Sequence, residues 1–238
     1  MIDKINLEDI LFLDIETVSQ FESWSDVPEI TKELFELKTT YQRKNEFTAE
    51  EFYSKAAIWA EFGKIICISV GYFVKRNDTK ELRITSFFND DEYKLLLAFK
   101  ELLKDHFYKE KHVLCAHNGK EFDFPYIARR MIIHQIKLPP KLNLFGKKPW
   151  EIKHLDTLDL WKFGDYKHYT SLKLLTHILG IPSPKQDIDG SEVGNVYYKE
   201  KDLQRIVDYC ERDTIAVAQL ILRFNNLPLL NNNQIIKV

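Results

Sequence analysis

The stretch LFLDIET, Leu11 to Thr17, decides how the rest of the chain is read. With Ile10 it opens as a continuous apolar run, the pattern of a strand buried on both faces. It then meets two carboxylates, Asp14 and Glu16. Side chains two apart on an extended backbone project from one face, so these two converge. The spacing predicts a strand over 9–15 ending at an acidic site able to hold a cation; a plain polar exit to solvent is the other reading.

Working outward, residues from about 19 to 62 change to helical patterning with charges throughout, a helical insertion after the first strand. Within it, Thr48 and Glu51 form a capping-box signature for a helix holding Tyr53, Ile58 and Trp59. Two β-rich runs, 64–73 and 81–88, flank the turn residues Asn77 and Asp78 and predict a hairpin. Asn89 or Asp90 then caps a helix carrying Leu96, Phe99, Leu103 and Phe107. A strand is expected at 112–116 and a helix at 125–135, with Pro125 in its first turn. After an apolar segment at 152–155 come helices at 157–163 and 171–179, the second stopped by Gly180 and Pro182. A surface loop over 182–194 precedes the last helix, 201–223, whose apolar face holds Leu203, Ile206, Val207, Cys210, Val217 and Ile221. The tail from about 229 to 238 is expected to fray. This order predicts one α/β domain over 1–238, with a mixed central sheet flanked by helices and an active site at the end of the first strand.

A chain of 238 residues that is 45% hydrophobic can bury a substantial core. Its net charge of -2 leaves nucleic-acid binding open, since a local basic surface suffices. Cys67, Cys115 and Cys210 each sit in an apolar stretch and read as buried thiols of a reducing compartment. The acidic N-terminus is no signal peptide, and no apolar run approaches the roughly 20 residues of a membrane span. The expectation is a cytoplasmic protein with no membrane association.

Two further segments carry chemistry. In HNGKEFDFPY, His117 to Tyr126, Asp123 stands at the mouth of a helix, either as a cap or as a metal ligand. In YCERD, Tyr209 and Asp213 lie four apart on a helix and point the same way. A phenol there can orient a water while the carboxylate binds an ion; an exposed helical turn is the alternative. Asp14, Glu16, Asp123 and Asp213 together offer hard oxygen ligands, which suit two Mg2+ or Mn2+ ions better than zinc. That combination points to phosphodiester hydrolysis.

With its three segments DIET, NGKEFD followed by Pro-Tyr, and YCERD, the sequence resembles 3′-to-5′ exonucleases of the DEDD superfamily, which have the ribonuclease H-like fold. It is most similar to the exonuclease domains of family B DNA polymerases, over nearly the whole chain. SLKLLTHILGIPSPKQDIDGSEV, Ser171 to Val193, and HLDTLDLW, His154 to Trp161, add a similarity to stand-alone predicted polymerase-B-like exonucleases. Asp208 occupies the position five before the last Asp, where other members carry histidine, so the resemblance is to the tyrosine subtype.

This resemblance implies that Asp14, Glu16 and Asp213 hold the catalytic ion, that Asp14 and Asp123 serve the second, and that Tyr209 orients the water. The substrate implied is a single-stranded 3′ end of DNA. RNA is the first rival, and an inactive nucleic-acid-binding module the second. No polymerase segment follows, so proofreading would be exercised as a separate protein. Candidate substrate contacts are Asn118, Phe122, Lys147 and Lys148. The last two belong to a run of seven Lys or Arg between Arg129 and Lys153 that is either a phosphate track or an ordinary surface. Phe122 and Trp150 either stack on a terminal base or belong to the core; Lys162 and Lys185 are further possibilities.

Overall fold

A computed structural model describes residues 5–44, 46–76, 79–165, 167, 169–182 and 188–238. Its centre is β1, Ile10–Ser19, which pairs antiparallel with β2, Gly63–Arg76, and parallel with β4, Val113–Ala116. Outside β2 lies β3, Thr79–Phe88; outside β4 lies β5, Leu155–Asp156. A sixth strand, β6, Ile235–Lys237, completes a mixed sheet in the order β5-β4-β1-β2-β3-β6. This is an α/β fold consistent with a ribonuclease H-like arrangement.

Alternation along β1 sorts its side chains between two helical layers. Leu11, Leu13 and Ile15 pack with Phe99 of α3, Glu92–Asp105, and with Phe124, Ile127 and Met131 of α4, Asp123–Ile133. Ile10 and Phe12 pack instead against Val217, Ala218 and Ile221 of a 22-residue helix, Leu203–Phe224. Period two then puts Asp14 and Glu16 on that same side.

The insertion after β1 contains α1, Glu29–Arg43, and α2, Ala49–Phe52, around a small aromatic core in which the Phe35 and Phe62 rings meet edge to face at 5.1 Å. Thr17 and Tyr126 anchor it, both donating to the Ala57 carbonyl at 2.9 Å. On the far side, α5, Thr157–Lys162, follows β5; then come α6, Leu172–Ile178, and α7, Val193–Asn195, which runs into a π-helical turn at Val196–Glu200. The long last helix is α8. Among the described residues no helix is long and apolar enough to cross a membrane.

Several expectations are corrected. The first strand does not end at the carboxylates: past a register shift between Glu16 and Thr17, Thr17 to Ser19 still pair with Ile65 to Gly63. The capping box at Thr48 forms, but its helix is four residues long and tightens into a 3-10 turn over Tyr53–Ile58. Tyr53 and Ala56 both face inward at a spacing of three, which suits that tighter turn, and Ile58 is left exposed. The cap of α3 is Asp91, accepting from the amides of Tyr93 and Lys94, whereas Asn89 caps the preceding turn. The tail does not fray. Ile235 to Lys237 pair with Leu82 to Ile84, and Gln234 donates to the Lys80 carbonyl at 3.0 Å, covering the open edge of β3. The turn residues Asn77 and Asp78, and Lys185 with 183–187 of the expected loop, lie outside the described residues.

Candidate active site

Asp14 and Glu16 project from β1 toward α8, where Tyr209, Cys210 and Asp213 lie within two turns. One oxygen of each strand carboxylate and the Cys210 Sγ all lie within 4.8 Å of one another. Asp123, 3% exposed, comes in from the start of α4, beyond the end of β4. It is not the helix cap: the cap position is Phe122, which makes no capping bond.

Four acids in one small space repel each other. Burial first, then Glu16, Asp123 and Asp213, hold the Asp14 pKa well above the usual carboxylate range. Burial and then Asp213 do the same for Glu16. Burial pushes Asp123 to about 7, with Asp156 adding to the rise and backbone hydrogen bonding at Asp123 and Ile15 opposing it. The Asp14 Oδ2 atom is enclosed and accepts no hydrogen bond. An orphaned buried acceptor amid mutually repelling carboxylates is what a divalent cation would relieve, and the all-oxygen set of acids suits a hard ion. The residues therefore fit a metal. Tyr209, 9% exposed, is hydrogen-bonded to the Asp213 side chain, and burial together with Asp213, Glu16 and Asp14 raises its phenol pKa.

The candidate substrate contacts fare unevenly. Asn118 adopts φ 63°, and its N–H donates to Asp156 Oδ1 at 2.9 Å. Phe122 is half-buried, its ring 5.3 Å from that of Tyr126 at the edge of the core. Lys147 and Lys148 are exposed, and among the described residues neither hydrogen-bonds or ion-pairs with the carboxylates. Lys148 instead sits 5.3 Å over the ring of Trp150, which is 76% exposed and so not core.

The run of seven cations is only partly a surface. Arg130 is buried and forked onto Glu92, which also takes the Ile65 amide at 2.7 Å and His134 Nε2 at 2.7 Å. Lys141 donates to the His112 carbonyl at 2.6 Å, and Lys153 pairs with Glu110 at 2.9 Å. Lys162 pairs with Asp159 at 3.1 Å.

Two residues at the site were not singled out from sequence. Asp156, 2% exposed, caps α5 through Leu158 and at the same time holds the amides of Asn118 and Lys120 at 2.9 and 3.0 Å. It thereby fixes the loop that delivers Asp123; its place within HLDTLDLW, just before a helical run, was the signal in the sequence. Cys210 is the other, and its place beside Asp14 follows only from the packing of α8 on β1.

The model of a family described as predicted 3′-5′ exonucleases related to the exonuclease domain of PolB matches residues 58–231. The chain belongs to that family. The match includes Asp123, Tyr209 and Asp213 and begins after Asp14 and Glu16. Among curated proteins, a DNA polymerase of Pyrococcus glycovorans is 21% identical over 199 residues, covering 78% of this chain. The aligned region is 24% of the polymerase, so the chain spans about a quarter of that relative's length.

Proposed function

We propose that this protein is a metal-dependent 3′-to-5′ exonuclease that removes nucleotides from single-stranded 3′ ends of DNA, using two Mg2+ or Mn2+ ions. The observation that carries the reading is the enclosed Asp14 Oδ2, without a hydrogen-bond partner, among mutually repelling acids from three separate segments of a chain of this family. Asp14, Glu16 and Asp213 would hold one ion, Asp14 and Asp123 the other; bound there, such ions lower the pKa of water and stabilise a leaving 3′ oxygen.

The chain's own groups do the positioning. Tyr209 is held by Asp213 one turn along α8, so its hydroxyl is already aimed at the cluster and can orient the attacking water. Its raised pKa keeps it a neutral hydroxyl, serving as a hydrogen-bonding group and not as a phenolate base. Asp156 keeps the loop with Asn118 and Phe122 beside the carboxylates, where the last nucleotide would lie.

The test is a time course on labelled single-stranded DNA, single-stranded RNA and a mismatched duplex, with Mg2+, Mn2+ or EDTA. Asp213→Ala should abolish turnover and weaken Mn2+ affinity. Tyr209→Phe should keep Mn2+ affinity and lose roughly 100- to 10,000-fold in single-turnover rate. Full activity in excess EDTA, or an unimpaired Tyr209→Phe, would overturn this account; RNA cleaved faster than DNA would replace its substrate.

A further inference from the structure

One wall of the carboxylate cluster is sulfur. Cys210 faces β1 from α8, and its thiol donates to the Asp14 backbone carbonyl at 3.3 Å. Behind it stands Cys67, fully buried and opposite Glu16 in the β1–β2 ladder. A free Cys in a protein interior usually behaves as a small hydrophobe, which would explain the packing of both. It does not explain why the Asp14 Oδ2 atom, in the same group, is enclosed and unpartnered, since an acceptor buried without a hydrogen bond is destabilising.

We propose that Cys210, Asp14 and Glu16 form a mixed thiolate–carboxylate site for one thiophilic divalent cation, Zn2+ or Cd2+, which takes the space of the hard catalytic ion and holds the nuclease off. Zinc binds sulfur at about 2.3 Å and carboxylate oxygen at about 2.0–2.2 Å, so tetrahedral ligand atoms stand roughly 3.5 Å apart. The three atoms, now within 4.8 Å of one another, reach that spacing by closing up about an ångström. As the cation binds, the Cys210 S–H bond breaks, sulfur keeps the electron pair and bonds the metal, and the proton leaves to solvent. A soft ion that bonds sulfur strongly draws the proton off, whereas a hard one gains little from sulfur and leaves the thiol as it is. Cys67 does not fall within the ligand group. The binding site stands by itself; only the inhibition rests on the nuclease reading above.

The experiment titrates metal-stripped protein with Cd2+ in the absence of nucleic acid and follows the ultraviolet thiolate-to-cadmium charge-transfer band. Wild type should take up one Cd2+ per chain with a full band. Cys210→Ser should lose the band, Cys67→Ser should keep it, and Asp14→Asn should keep it with affinity lowered roughly tenfold or more. Melting curves establish that each variant is folded, with Cys210→Ala replacing the serine variant if needed. No band in wild type, a band surviving in Cys210→Ser, or one lost in Cys67→Ser while Asp14→Asn binds normally, overturns the site. A second arm compares, within each variant, the Mg2+-supported rate with and without Zn2+. The ratio should fall steeply in wild type and stay near one in Cys210→Ser, and equal inhibition of both overturns the inhibitory role. Cd2+ binding as expected in a protein that cleaves nothing with Mg2+ would remove the nuclease reading and leave the cation site in place.

Discussion

Lys237 is ion-paired to Glu211, Nζ to carboxylate 2.6 Å, joining the last strand to the helix that carries Tyr209 and Asp213. Glu211 is 7% exposed and also accepts from Ser86 at 2.9 Å, so it draws on both β3 and β6. Lys237→Ala should lower stability by about 1 kcal/mol, because the lysine is largely exposed while the acid it leaves behind is not. Adding Glu211→Gln should recover part of that loss. Melting temperatures of the two single variants and the double variant check this; additive losses would show that the pair is uncoupled.

Asp123 makes the site pH-sensitive. Its pKa in the folded chain is about 7 against an ordinary 3.8, so its contribution is fully present below 3.8 and is lost as pH rises through about 7. In metal-free protein, the melting temperature of Asp123→Asn relative to wild type should therefore climb from about pH 4 to about pH 7. Saturating Mg2+ should shrink the difference. A constant difference across that window contradicts the assignment.

His154 acts in the opposite sense. Its Nδ1 accepts from the Leu114 amide at 3.2 Å and its Nε2 donates to the Lys141 carbonyl at 2.7 Å, which fixes it as neutral. Burial lowers its pKa to about 4 from 6.5, so its stabilisation is present above 6.5 and is lost as pH falls toward 4. At most this is about 3 kcal/mol, since each tenfold change in proton affinity is worth about 1.4 kcal/mol. In an Asp123→Asn background, acid titration of the melting temperature should show this loss, and His154→Gln should flatten it.

Replacing Lys147 and Lys148 together by Gln should weaken binding of long single strands more than it slows cleavage of very short ones, and should flatten the salt dependence. Binding isotherms at several salt concentrations give the slope. An unchanged slope assigns these lysines to plain surface.

Much of this was legible because the apolar pattern and the fold make the same demand. β1, the β2–β3 hairpin, α3, α4 and α8 follow from periodicity, and the clustering of Asp14 with Glu16 follows from period two on a strand. The sequence was silent where partners are distant. Ile235 and Ile236 read as a loose end until the edge of β3 is there to receive them. Arg130 reads as one more surface cation, yet 38 positions away Glu92 buries it. Asp156 looks like an ordinary helix cap, because its second duty, gripping 118–120, lies across a connection that no local pattern reports.

The order of the segments around Asp14 has a consequence for biosynthesis. A chain emerging from the ribosome displays Asp14 and Glu16 almost at once and Asp123 midway, but Asp213 and Tyr209 come only with α8, after nearly all of the sheet has been made. Until that helix has cleared the exit tunnel and docked on β1, Asp14, Glu16 and Asp123 stand without Asp213 and Tyr209. On the roles proposed for these residues, a growing chain cannot yet cut, and the nucleic acid crowded around the translation machinery is spared by nothing more than the sequence in which the parts are synthesised.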